Sequence, residues 1–249
     1  METPTQPPKQ KKRLASPAAL LSIKHKFFFV PVGKVANSSI KFALQLLEVG
    51  AKEPAVDRGY WRRAARLVHD PYWGPCLRLE QLGNRSPLRR QILRGKAYTR
   101  FIFVRNPYTR LLSAYRDRAQ AKSVLHNQIV RDLGRKDFSL AEFVAFIARQ
   151  RTKTKALDQH IRPQVEVTAF EAIDYHFVGK FENLAADWET ISCEVFGRTL
   201  PLGFHSPKKT SSDLIAVSSA FDRESAELVA EIYKEDFEAF GYSPDSWRA

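Results

Sequence analysis

Two short apolar runs, each leading through a tight loop into an amphipathic helix, constrain this chain more than any other feature. Phe27-Phe28-Phe29-Val30 is closed by Pro31 and Gly33, and Ile40, Ala43, Leu44 and Leu47 then recur at three- and four-residue spacing before Gly50. A brief apolar run bounded by turn residues fits a buried strand, and the spacing after it fits a helix with one apolar face. Phe101-Ile102-Phe103-Val104 repeats the pattern. Asn106 is a favoured N-cap, Pro107 suits the first helical turn, and Leu111, Leu112, Tyr115 and Ala119 keep helical register. Strands alternating with helices predict a single α/β domain of three layers around a mainly parallel sheet.

The rest of the chain extends this reading. Ser139 and Glu142 form a capping box that opens a helix through Phe143, Phe146 and Ile147. Tyr175–Val178 reads as a third strand and Glu182–Phe196 as a helix closed by Gly197. A last helix runs from about Asp222 to Phe240, with Val229, Ile232, Tyr233, Phe237 and Phe240 on one face and Gly241 beyond it. Residues 51–96 are less regular: Trp61, Leu67 and Val68 favour a helix, but Pro54, Pro71, Pro75 and Pro87 divide the segment. Its arginines (Arg62, Arg63, Arg66, Arg85, Arg89, Arg90 and Arg94) form either a solvated face or a substrate-facing patch. No internal repeat is present.

The 249 residues suit one large domain or two small ones, and a single domain is the reading taken. It is placed at residues 23–249, after a flexible basic tail over 1–22. Lys9, Lys11, Lys12 and Arg13 precede Leu14–Ile23 in the charge order of a secretory signal. Ser16, Pro17 and Ser22 interrupt the apolar stretch, so the tail reading is preferred. No run approaches the roughly 20 apolar residues that cross a bilayer. Cys76 and Cys193 lack metal or redox spacing and favour a reducing compartment. Lys and Arg number 40 against 27 Asp and Glu, a formal charge of +13. That excess predicts an anionic partner without choosing among a nucleotide, an acidic glycan, nucleic acid and a membrane surface.

The loop Val32-Gly33-Lys34-Val35-Ala36-Asn37-Ser38-Ser39 is a candidate phosphate cradle. Small and hydroxylated residues admit an anion close to the backbone, the helix N-terminus presents N–H groups and the positive dipole end, and Lys34 adds a full charge. It is not a Walker A motif: the first glycine is missing, and Val35 stands where that motif has its Mg²⁺-binding Ser or Thr. Phosphate binding without a metal is therefore expected. Arg105 ends the second strand, where open α/β sheets bind ligands, and Ser113 follows two turns into the next helix. A guanidinium fork and a hydroxyl there can hold a second phosphate. Structurally, the same residues can instead cap carbonyls and pack.

The two elements together resemble the 5′-phosphosulfate loop and the 3′-phosphate motif (Arg, seven residues, Ser) of sulfotransferases that use 3′-phosphoadenosine 5′-phosphosulfate (PAPS). The stretch Phe103-Val-Arg-Asn-Pro-Tyr-Thr-Arg-Leu-Leu-Ser-Ala-Tyr115 is most similar to the carbohydrate sulfotransferase family that includes the chondroitin 4-O- and HNK-1 enzymes. Asp158-Gln-His160-Ile-Arg-Pro-Gln164, Phe177-Val-Gly-Lys-Phe-Glu-Asn-Leu184 and Tyr233-Lys-Glu-Asp-Phe237 extend the resemblance over roughly residues 26–242. It departs from the family where Val32 and Gly33 separate Pro31 from Lys34, and where Asn106 replaces a common Asp. Known animal members are membrane-anchored Golgi proteins with disulfides; neither feature is seen here, which implies a soluble, cytoplasmic, bacterial relative.

The resemblance implies a P-loop-like sulfotransferase architecture and metal-independent, in-line transfer from PAPS to an acceptor hydroxyl, with a carbohydrate as the family-based acceptor. Lys34 would face the oxygen bridging sulfur and phosphate. Arg105 and Ser113 would hold the 3′-phosphate, and the backbone of Val35, Ala36, Asn37, Ser38 and Ser39 the 5′-phosphate. A histidine is the expected general base. His160 lies in a family-like motif, and His69 precedes the second strand, where other sulfotransferases place their base; both stand as candidates. His25, His126 and His176 read as structural or exposed. The loop from His205 to Ser212, with Lys208 and Lys209, is either a lid over the nucleotide or a solvated linker. Tyr60, Trp61, Tyr72 and Trp73 are candidates for stacking on sugar rings. Competing readings are a metal-independent nucleotide-binding protein that has lost catalysis, a P-loop kinase relative, opposed by Val35, and a non-catalytic nucleic-acid- or polyanion-binding module, for which no recognition motif appears.

Overall fold

The computed structural model describes residues 19–50, 75–83, 86–119, 123–151, 157–202 and 217–248. The apolar run Phe27–Val30 forms β2, wholly buried, and Pro31 ends it. Its neighbours are β1 (Leu20–Ser22), antiparallel to it, and β4 (Thr99–Val104), parallel to it with Phe29 opposite Phe101. β3 (Leu77–Arg78) pairs antiparallel with β1, and β5 (Phe177–Lys180) pairs parallel with β4, giving the order β3-β1-β2-β4-β5. The α/β reading holds. The sheet is mixed: the parallel strands β2, β4 and β5 are extended by an antiparallel edge.

That edge takes in the last residues of the stretch read from sequence as a tail. Ala19 is buried and Leu20–Ser22 lie in the sheet, because Leu20 and Leu21 pack into its two faces. The third strand starts two residues later than the sequence predicts. Tyr175 instead sends its hydroxyl to the Thr168 carbonyl at 2.6 Å and stacks on Phe170.

Helices cover both faces. Phe27, Phe29, Phe101 and Phe103 meet α1 (Asn37–Glu48) and, through Trp188 and Ile191, α7 (Leu184–Phe196). Phe28, Val30, Ile102 and Val104 face the other way, against Ile92 and Leu93 of α2 (Pro87–Arg94), Val165 of α6 (Gln164–Thr168) and Phe240 of α9 (Lys234–Phe240). This is the three-layer arrangement that the alternating elements imply. A further cluster joins α3 (Pro107–Ala114), α4 (Val124–Leu133), α5 (Leu140–Arg151) and α8 (Arg223–Ile232). Burying each large apolar side chain contributes about 1.5–3 kcal/mol.

Local signals fix where the helices begin. Asn106 caps α3 by accepting the Tyr108 N–H at 2.9 Å, with Pro107 in the first turn. Ser139 and Glu142 make the reciprocal capping box ahead of α5. The helix expected over 222–240 is two, α8 and α9, parted at Tyr233. Tyr233 donates its hydroxyl to the Ile161 carbonyl at 2.6 Å, and Asp236, fully buried, accepts the N–H groups of Gln164 (2.8 Å) and Val165 (2.9 Å) at the start of α6. The C-terminal segment thus caps an internal helix. Asp236→Ala should leave those buried donors unpaired and lower stability by about 3 kcal/mol, roughly 6–12 °C in melting temperature; thermal unfolding reads this directly, and a shift under about 2 °C would contradict the role.

Candidate anion and transfer site

β2 and β4 run side by side, so the loops leaving their carboxyl ends are neighbours. In open α/β sheets that is where ligands bind. The loop after β2 turns through two left-handed residues, Lys34 (φ 69°) and Ala36 (φ 46°), before α1 starts at Asn37. No side chain caps α1 and its first turn holds no acidic residue, so the positive end of the helix points into the loop. Val35 turns its side chain into the core, which leaves only its backbone for an anion. Asn37 holds a buried amide oxygen without a hydrogen-bond partner. Turned over, the same amide presents its NH₂ donor there, as an anion would require. Ser38 is half-buried and Ser39 buried in the first turn.

Two arginines hold this loop by its carbonyls. Arg105 donates from Nη1 to the Lys34 carbonyl at 3.2 Å and from Nε to Thr109 Oγ1 at 3.0 Å, with its guanidinium 4.0 Å from the centre of the Phe181 ring. Arg110, buried on α3, donates from Nε to the Gly33 carbonyl (3.1 Å) and from Nη2 to the Gln159 carbonyl (3.3 Å). Burial pushes the Arg110 pKa down, while Tyr233 and Asp236 hold it up. Burial in turn raises the Asp236 carboxyl, against the pull of Arg110 and of the Gln164 and Val165 donors. Gln164 completes the frame: its amide accepts the Arg105 N–H at 2.9 Å and donates to the Arg105 carbonyl at 2.8 Å.

Arg110 also brings the segment with His160 to the loop. A Cβ on Gly33 would stand 3.1 Å from His160 Cδ2, so glycine is what lets the imidazole lie this close. Asp158 Oδ1 sits 2.7 Å from His160 Nδ1 and accepts the His160 N–H at 2.8 Å. A carboxylate at Nδ1 favours the tautomer with its proton there, leaving Nε2 able to accept one. Across the loop, Lys34 Nζ donates to Asp117 Oδ2 at 2.7 Å. Asp117 lies four residues beyond Ser113, which is half-buried on α3, and its carboxylate brings the end of that helix to Lys34.

The structure thus unites Lys34, Val35, Ala36, Asn37, Ser38, Ser39, Arg105 and His160 around one loop, with Ser113 on the adjoining helix. His69, Lys208, Lys209, His205, Tyr60, Trp61, Tyr72 and Trp73 lie outside the described residues. His25 packs on Phe196, and His176 Nδ1 accepts the Arg100 N–H. The sequence reading gave no role to Arg110, Gln164, Asp236 or Asp117. The first three stand inside the motifs already quoted; the signal for Asp117 was its four-residue offset from Ser113. Among the described residues no helix is long and apolar enough to cross a membrane, and no group of His, Cys, Asp and Glu could hold a metal ion.

Fold and loop together define an α/β protein with an uncapped helix N-terminus and a lysine at the carboxyl ends of its parallel strands. Residues 18–243 match the sulfotransferase family, and the chain belongs to it. It is similar to carbohydrate sulfotransferase 11 of Mus musculus, at 27% identity over 171 residues, covering 60% of this chain and 48% of that protein. Carbohydrate sulfotransferase 11 of Rattus norvegicus shows the same identity and coverage. The chain spans about half the length of these relatives. Both are mammalian and lend no support to a bacterial origin. No solved structure matches the chain. Arg110→Lys keeps a charge but not the fork that reaches two carbonyls. It should speed hydrogen exchange at residues 33–39 and 159–161 by about tenfold or more, while β4 keeps its protection.

Proposed function

We propose that the chain transfers a sulfuryl group from PAPS to a hydroxyl of a carbohydrate. The observation that carries this is the loop after β2, with the Lys34 ammonium on one side and the Asp158-backed His160 at Gly33 on the other. Family membership and the similarity to carbohydrate sulfotransferase 11 support both the donor and the acceptor class.

In-line sulfuryl transfer, like phosphoryl transfer, passes through a loose transition state in which positioning and charge neutralisation dominate. The acceptor oxygen forms a bond to sulfur as the sulfur–oxygen bond to the phosphate breaks, and the electron pair leaves with the phosphate oxygen. Lys34 stabilises that oxygen. His160 Nε2 takes the acceptor proton, while Asp158 orients the ring and stabilises the imidazolium that forms. The α1 N-terminus receives the 5′-phosphate through the backbone of residues 35–39, and Arg105 with Ser113 receives the 3′-phosphate. Val35 puts no hydroxyl where a Walker A loop ligates Mg²⁺, which supports transfer without a metal. Cys76 and Cys193 are unpaired thiols, in keeping with a reducing, cytoplasmic setting.

Adenosine 3′,5′-bisphosphate at about 100 times its dissociation constant should stabilise the protein by roughly 2.7 kcal/mol, several degrees in melting temperature, with or without EDTA. A shift only with ATP and Mg²⁺ would return the kinase reading. Lys34→Ala should reduce sulfuryl transfer on the order of 10²- to 10³-fold with little loss of stability; wild-type turnover would remove its role. Comparing His160→Ala with His69→Ala identifies the base. His160→Ala is expected to lose about 10²-fold or more, and an undiminished rate would exclude it.

A further inference from the structure

Asp117 presents a carboxylate to the one lysine on which the proposed transfer turns. Lys34 Nζ and Asp117 Oδ2 are 2.7 Å apart, with side chains 16% and 51% exposed. A half-exposed ion pair of this kind adds little to folding. It also opposes the ligand, because a carboxylate at this place repels a donor that carries two phosphates and a sulfate. Asp117 stands in the π-helical turn Tyr115–Ala119 that continues α3. Such widened turns re-aim side chains and recur at functional sites.

We propose that Asp117 is a positioning residue for sulfuryl transfer, a reading that rests on Lys34 acting at the donor. Asp117 holds the Lys34 ammonium beside the loop and competes with the bound nucleotide for it. Before reaction the bridging oxygen carries little charge, and the lysine is divided between donor and Asp117. As the sulfur–oxygen bond lengthens, charge collects on the phosphate oxygen and draws the ammonium to it. Lys34 supplies a stabilisation that grows as charge collects on the leaving oxygen, and the pull of Asp117 weakens its hold on the bound nucleotide before and after that step. After transfer Asp117 draws the lysine back and loosens the bisphosphate product. Without the carboxylate, the flexible lysine binds ground state and product more fully and is aimed less well.

The test is calorimetric titration with adenosine 3′,5′-bisphosphate, beside steady-state transfer rates and melting temperatures. The proteins are the wild type, Asp117→Asn, Asp117→Glu, Lys34→Met and the double variant Asp117→Asn/Lys34→Met. Asp117→Asn should bind the bisphosphate roughly three- to fivefold more tightly, the scale of releasing a half-exposed ion pair. Its turnover should fall by a similar factor, because the more tightly held bisphosphate leaves more slowly. Asp117→Glu should restore both toward wild type. In the Lys34→Met background Asp117→Asn should change affinity much less, because the effect passes through the lysine. Unchanged or weakened binding by Asp117→Asn, tightened binding with undiminished turnover, or an equal gain in the absence of Lys34 would each overturn the proposal. A wild type that binds no bisphosphate overturns the donor reading and this proposal with it. A wild type that binds and transfers beside an unmoved Asp117→Asn overturns the role of Asp117 alone.

Discussion

The loop after β2 depends on two guanidinium groups that reach its carbonyls from α3 and the residue leading into it. Arg105 takes the Lys34 carbonyl and Arg110 that of Gly33, so consecutive peptide units are held from behind. Lys34 and Ala36 adopt left-handed backbone that a free chain disfavours for non-glycine residues. The two donors offset that cost and turn the loop toward the start of α1. Arg110 reaches the Gln159 carbonyl as well, so the same residue that shapes the loop sets His160 against it. Loop geometry and the placement of the proposed base are therefore one structural fact.

Behind the arginines stands a buried polar chain from distant parts of the sequence. Asp236 on α9 caps the first N–H groups of α6, and Gln164 at the head of α6 pairs with both backbone groups of Arg105. Removing one member of such a network leaves partners unsatisfied in a low-dielectric interior, which explains why a carboxylate is tolerated there with burial acting against its ionisation. The motifs around residues 103–115, 158–164 and 233–237 are far apart in the chain and converge here. Their spacing in sequence says nothing of this, yet each supplies one side of the frame.

The parts of this arrangement legible in sequence were those governed by local rules. Asn106 and Pro107 mark the start of α3, Ser139 and Glu142 that of α5, and the apolar runs at 27–30 and 101–104 give the two central strands. The loop at Lys34 was legible as a turn between strand and helix because Pro31 and Gly33 close an apolar run and helical spacing begins just after it. What escaped was set by tertiary partners. Leu20–Ser22 looked like an interrupted tail because three residues carry no periodicity, and only pairing with Phe27–Phe29 makes them a strand. The break at Tyr233 was hidden because its face is apolar on both sides; the hydroxyl that reaches Ile161 is invisible to a hydrophobic pattern.

Charge is where sequence and structure diverge most usefully. The net +13 invites the view that arginines in the motifs exist to attract anions. In the folded chain Arg110 is buried and turned to carbonyls, and Arg105 stacks on Phe181 while bracing Lys34. Their first effect is to aim other groups: the α1 N-terminus, the lysine ammonium and the imidazole. Preorganised dipoles and one well-placed cation in a partly dry site act more strongly on a developing charge than several solvated cations would. A negative neighbour at that cation is then intelligible: the Asp117 carboxylate fixes where the Lys34 ammonium lies and offsets part of its charge. That local balance of charge is one that composition does not reveal.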